Sequence, residues 1–167
     1  MKVFIVYFSR SGRTKKLAEQ INQKIPSDLE EIKDHMNRKG IIGFLKSGNE
    51  AYFNSIPLIH PLKKDPTKYD IVIIGTPVWA NNIASPVRSF LKEYKDKLEK
   101  VAFFCTSMGS DPKLVFAQMG KVIHKEPVAV LNISSRDERN RLDSEMIDHF
   151  VQTIKKSENE KIKKNDR

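Results

Sequence analysis

Val3-Phe4-Ile5-Val6-Tyr7-Phe8-Ser9-Arg10-Ser11-Gly12-Arg13-Thr14-Lys15-Lys16 decides the fold of this 167-residue chain. The apolar run 3–8 suits a buried strand, and Leu17, Ala18, Ile21 and Ile25 then recur at helical spacing. Strand, loop and helix follow directly on one another. The loop carries Ser9, Ser11 and Thr14 as hydroxyls, Gly12 for close backbone approach, and Arg10, Arg13, Lys15 and Lys16 as nearby cations. Free N–H groups at a helix N-terminus and the helix macrodipole make such a loop a cradle for phosphate. The same residues also serve as a plain cap and turn. Other phosphate loops fit worse, because the spacing after Gly12 is not that of a Walker A motif and no Gly-x-Gly-x-x-Gly occurs among the seven glycines.

The length suits one domain with a core of its own. No run reaches the roughly 18 apolar residues that a membrane helix needs, and the opening apolar segment passes straight into the loop, unlike a cleaved leader. Cys105 is the only cysteine, which rules out an intramolecular disulfide and fits a reducing compartment. A cytoplasmic protein is expected. The formal net charge of +9 would suit nucleic acid, an acidic protein or anionic small molecules. Against nucleic acid, the lysines are spread over helix faces and the tail, with no aromatic stacking signature. Residues 155–167 alternate charge without apolar periodicity and are expected to fray into disorder beyond a domain at 1–154.

Four further strands are expected at 29–33, 70–76, 101–106 and 128–133. The continuous apolar runs at 71–74 and 101–105 suit central parallel strands covered on both faces. Helical stripes lie between them. Ile83, Val87, Phe90, Leu91, Tyr94 and Leu98 form one, with Ser85 as its cap and Pro86 at its first position; Asp111-Pro112 opens the next. The order βαβαβαβαβα predicts a three-layer, doubly wound α/β fold with a five-stranded parallel sheet, strand order 2-1-3-4-5. Segment 40–56, broken by Gly40, Gly43 and Gly48, is either an irregular second crossover helix or a loop over the ligand edge or an oligomer contact.

In such a sheet a ligand sits beyond the carboxyl ends of the strands, where the winding reverses between strands one and three. Three loops meet there. They are Ser9 to Thr14; Thr76-Pro77-Val78-Trp79-Ala80-Asn81-Asn82, which carries the only tryptophan; and Thr106-Ser107-Met108-Gly109-Ser110-Asp111. A phosphate grip at one end, an indole midway and a glycine-containing polar loop opposite outline a slot for a flat ring.

These residues resemble the flavodoxin-like FMN proteins of the short-chain type. Ser9-Arg10-Ser11-Gly12-Arg13-Thr14 resembles their hydroxyl-Gly-x-Thr phosphate loop, Gly75-Thr76-Pro77-Val78-Trp79 their first ring-flanking loop, and 106–111 their second. The resemblance covers residues 1–154 and implies one noncovalent FMN, its phosphate on Ser9, Arg10, Ser11, Gly12, Arg13 and Thr14. The ring would then lie between Thr76, Pro77, Val78, Trp79, Ala80, Asn81 and Asn82 on one side and Thr106, Ser107, Met108, Gly109 and Asp111 on the other. Simpler roles stand beside these: packing for Trp79, a turn for Asn81 and Asn82, a helix cap for Asp111.

Cys105, inside an apolar strand, reads as an inert core thiol. The Cys-x5-Arg pattern of low-molecular-weight tyrosine phosphatases fails at Asp111. The four histidines show no metal spacing. Two function classes follow from the resemblance. One is a relay passing electrons between redox partners, an acidic protein being the expected partner of so basic a chain. The other is an NAD(P)H-dependent quinone or flavin reductase. Family members that carry electrons often have a glycine beside the ring that lets a peptide turn over, and none stands at 77–82 here, which with the basic charge tilts toward two-electron use.

Overall fold

The structure, a computed structural model, describes residues 1–36, 38, 40–109, 111–139 and 142–165, in side chain except at positions 44, 138, 139 and 159–165. Its strands are β1 (Val3–Tyr7), β2 (Asp28–Glu31), β3 (Ile71–Trp79), β4 (Asn82–Ile83), β5 (Val101–Ser107) and β6 (Val130–Ser134). Its helices are α1 (Arg13–Lys24), α2 (Gly40–Tyr52), α3 (Ser85–Glu93), α4 (Pro112–Ile123), α5 (Ser135–Arg139) and α6 (Asp143–Asn165). The parallel order is β2-β1-β3-β5-β6, with β4 antiparallel to β3. The parallel winding is thus the expected one, joined by a sixth short strand.

Every residue of β1 and β5 is buried, as strands covered on both faces require. One core layer gathers Phe4, Val6, Val72, Ile74, Phe90 and Phe103, the other Ile5, Ile21, Ile73, Phe104, Phe150 and Ile154. Gly75 sits where β3 crosses this second layer. A Cβ built on it would lie 2.0 Å from Cζ of Phe104, so the absent side chain is what makes room for the ring.

Four expectations need correction. β3 runs on past 76 to Trp79 and folds back as β4, because Ala80 and Asn81 both take positive φ (46° and 56°) and close a two-residue turn matched to strand twist. Ser85 is the first helical residue of α3, with Ala84 in the cap position; its hydroxyl donates to Glu50 (2.6 Å) instead of capping. α5 was not foreseen, although Ser134 and Asp137 form a reciprocal cap, Ser134 N–H to Oδ2 at 2.8 Å and Asp137 N–H to Ser134 Oγ at 3.2 Å. Finally, α6 continues to Asn165 through the stretch expected to fray, since lysine and glutamate favour helix. Lys100 also ties it down by donating to Glu158 (3.0 Å) and to the Ser157 carbonyl (3.2 Å).

α2 resolves the ambiguous segment 40–56 as a crossover helix with an inverted face. Gly43, Ser47 and Ala51, spaced four apart, are buried, whereas Ile41, Ile42 and Leu45 stand 64–80% exposed. A Cβ on Gly43 would come within 2.3 Å of the Arg38 backbone. The glycine therefore permits contact rather than flexibility.

Because Phe104 is fully buried and fills the space beside Gly75, Gly75→Ala should cost about 3 kcal/mol through overpacking. A fall in the urea midpoint at unchanged slope is the expected result.

Candidate functional site

The carboxyl ends of β1, β3 and β5 come together in register. Phe8 N–H donates to the Gly75 carbonyl (3.1 Å), prolonging the β1–β3 ladder by one residue, and Pro77 stands opposite Thr106 across β3 and β5. The first and third loops are joined from below. Thr14 (1% exposed) and Thr106 (5% exposed) share a hydroxyl–hydroxyl hydrogen bond of 2.9 Å. The three expected loops thus form one edge.

In the first loop Gly12 has φ +91°, a left-handed conformation open to glycine at little cost, and no atom lies within 4 Å of where its Cβ would be. Its N–H donates to Ser9 Oγ (3.1 Å), and its carbonyl accepts from Lys16 N–H (2.9 Å) as α1 begins. Among the described residues no side-chain cap hydrogen bond is made at Gly12, the cap position of α1. Its first N–H groups therefore face out of the edge unclaimed by a capping side chain, flanked by Ser9 and Arg10, half-buried, and by exposed Ser11. Arg13 is half-buried at the first helical position.

The second loop divides its residues between the site and the core. Thr76 is fully buried; its hydroxyl donates to the Pro77 carbonyl (2.9 Å) and accepts from Ala84 N–H (3.1 Å). Pro77 and Val78 are half-buried, while Ala80 and Asn81 are exposed at the turn. Trp79 is only 8% exposed, meets Phe8 edge-on with centroids 5.5 Å apart, and lies 5.5 Å from the Arg38 guanidinium. Its indole is packed under the loop. Asn82 is committed internally as well, its amide donating to the Ala51 carbonyl (2.8 Å) and Asn54 Oδ1 (3.1 Å) while its oxygen accepts from Ile83 N–H and Arg88.

In the third loop Ser107 is buried and donates to Asn132 Oδ1 (3.0 Å), whereas Met108 projects, 87% exposed. Gly109 follows at φ +125°. Ser110 lies outside the described residues. Asp111 caps α4 by accepting from Lys113 N–H (2.9 Å).

A cleft of about 300 Å³ opens beside the first loop, on its β2 side. Phe8, Ser9 and Arg10 meet Asp34, Arg38 and His60 there. The last three were missed by sequence reading, since no spacing marks them. Arg38 is 6% exposed and donates from Nε to Asp34 (2.8 Å) and from Nη2 to Glu50 (2.7 Å). Burial pulls its pKa down, but hydrogen bonds and charge from Asp34 and Glu50 outweigh that and raise it. Among the described residues no group of three or more metal-ligating side chains occurs, and no helix is long and apolar enough to cross a membrane.

The sequence profile of flavodoxins matches residues 2–154. The chain belongs to the flavodoxin family. The flavoprotein of Lactobacillus acidophilus NCFM, crystallised in complex with FMN, is 29% identical with a TM-score of 0.68, over 84% of this chain and 97% of its own. The Fusobacterium nucleatum flavodoxin bound to flavin mononucleotide is 11% identical with a TM-score of 0.60, over 93% and 98%. A WrbA-like flavodoxin from Agrobacterium tumefaciens is 12% identical with a TM-score of 0.56, over 93% and 98%. These last two share the fold. No curated protein matches the sequence.

Cys105, beneath this edge, is fully buried against Asn132, and burial pushes its thiol pKa up to about 12. Between pH 9 and about 12 the unfolded chain releases that proton while the native one keeps it, so stability falls as pH rises through this window. The native chain should resist iodoacetamide at pH 8 and react fully once denatured, which mass spectrometry would record.

Proposed function

We propose that this flavodoxin-family chain binds one FMN noncovalently at the three-loop edge and passes electrons between redox partners. The observation that carries the proposal is the start of α1: a left-handed Gly12, a helix N-terminus without a side-chain cap, and the Thr14–Thr106 bond fixing it against β5. These residues fit a phosphate monoester. Backbone N–H groups of the first turn of α1 would hold it, with Ser11 and the remaining hydroxyl proton of Ser9, whose oxygen already accepts from Gly12. Backbone at 77–81 and 107–109 would flank the ring, since the side chains of Trp79, Asn82 and Asp111 are occupied within the protein. FMN would supply one- or two-electron transfer there.

The protein's share is positioning and charge. Thr76, Asn82 and Ser107 brace the two flanking loops through internal hydrogen bonds, so these loops are shaped before the ligand arrives. With a formal net charge of +9 the chain favours negative charge on its ligand and an acidic docking partner. That same charge favours a second reading, an NAD(P)H-dependent quinone or flavin reductase, because the nucleotide and its phosphates are anionic.

Purified protein should be yellow and release FMN, not FAD, on denaturation. Colourless protein that ignores added FMN would sink both readings. Adding NADPH and a quinone separates them, since turnover without a second protein marks the reductase. Gly12→Ala should weaken FMN binding about tenfold, because an empty loop relaxes from φ +91° and binding must restore a strain of about 1–2 kcal/mol.

A further inference from the structure

Two arginines are buried to the same degree, and they are treated differently. Arg38 and Arg88 are each 6% exposed. Arg38 meets two carboxylates, Asp34 and Glu50. Among the described residues Arg88 meets none: its Nη2 donates to the amide oxygen of Asn82 (2.6 Å), and its Nε is buried with no hydrogen-bond partner. Burying a guanidinium without an anion costs several kcal/mol, so such a group calls for a counter-ion.

A cavity of about 700 Å³ opens on Arg88, between α3, α4 and the β3–β4 hairpin. Lys92, Lys95, Lys121 and His124 surround it, and no carboxylate is among its lining residues. Asp96 sits 3.5 Å from the exposed His124 ring at the rim. Gln118, also lining the cavity, has its amide oxygen buried without a partner; turning that amide over would present its NH2 group instead. Three ammonium groups around a buried, anion-free guanidinium form a receptor for a compact multiple negative charge. The volume is within the range of small-molecule sites.

We propose that this cavity is a second binding site, distinct from the three-loop edge, for a phosphate-class polyanion seated on Arg88 and gripped by Lys92, Lys95 and Lys121. It does not depend on FMN binding. Burial alone lowers the Arg88 pKa, and a bound polyanion would reverse that shift as Asp34 and Glu50 do for Arg38. A surface meant for an acidic protein would spread its charge outward, whereas here the central cation is at the bottom of the cavity.

The test is a titration of the 15N-labelled full chain, in excess FMN, with inorganic pyrophosphate at low salt, followed by NMR at the Arg88 Nε–H. A saturable shift there and at the Asn82 side-chain amide is expected, with a Kd at least tenfold weaker in the double variant Lys92→Gln/Lys121→Gln. Both substitutions are at exposed positions, so the fold is not at risk. Competition by NADPH but not NADH would identify a nucleotide ribose phosphate as the source, and competition by neither a free phosphate compound. The proposal is overturned by an Arg88 resonance that stays still while residues 9–14 shift, by a Kd unchanged in the double variant, or by an acidic peptide that binds where pyrophosphate does not.

Discussion

Burying the guanidinium of Arg38 sets more of this structure than any apolar contact. The charge has to be met within the core, and Asp34, Ser47, Glu50 and Ser85 converge on it from the β2–α2 connection, α2 and the start of α3. Breaking such a cluster by removing one partner leaves an uncompensated charge and costs about 3–5 kcal/mol. The inversion of α2 follows. Its small and polar residues turn inward to reach Arg38, and Ile41, Ile42 and Leu45 are left outside. Above the guanidinium lie the rings of Phe8 and Trp79, each within 6 Å, so the same charge is a floor beneath two loops of the three-loop edge.

The edge itself is a consequence of register. Once β1 lies between β2 and β3, and β3 beside β5, the chain leaves the sheet at Phe8, Pro77 and Ser107 side by side. Gly75 lets Phe104 fill the core beside β3, and Thr14 reaches Thr106 beneath the edge. Each of these contacts joins elements far apart in sequence. The first loop is thereby held by its neighbours as well as by its own Gly12–Ser9 bond.

This division explains what could be read from the chain alone. The parallel strands and the three converging loops were legible because two-sided burial writes continuous apolar runs, and because hydroxyl, glycine and helix start lie within a few residues of one another. Orientation was not legible. Trp79 stands at a strand end where a ring contact is natural, and only the tertiary partners Phe8 and Arg38 draw it inward. α2 misleads for the same reason: its large apolar residues suggest an inner face that the Arg38 charge takes from them. Ala80-Asn81 lacks the Asn-Gly signature of a tight hairpin, so β4 was hidden, whereas the Ser134-x-x-Asp137 cap of α5 was there to be seen.

The hairpin carries its own strain. Ala80 at φ 46° is in a region that costs a residue with a Cβ about 1–2 kcal/mol, and such a conformation persists only where its surroundings dictate it. Asn82 is the dictating residue: bonds to Ala51, Asn54, Ile83 and Arg88 hold the return strand in place. Arg88 therefore has two neighbours, the hairpin, which it meets through Asn82, and the cationic cavity, which it lines. An anion drawn to that cavity would act on the guanidinium that orients Asn82, two residues along the chain from Ala80. The shape of the β3–β4 turn and the charge of the cavity are in this way linked through one buried side chain.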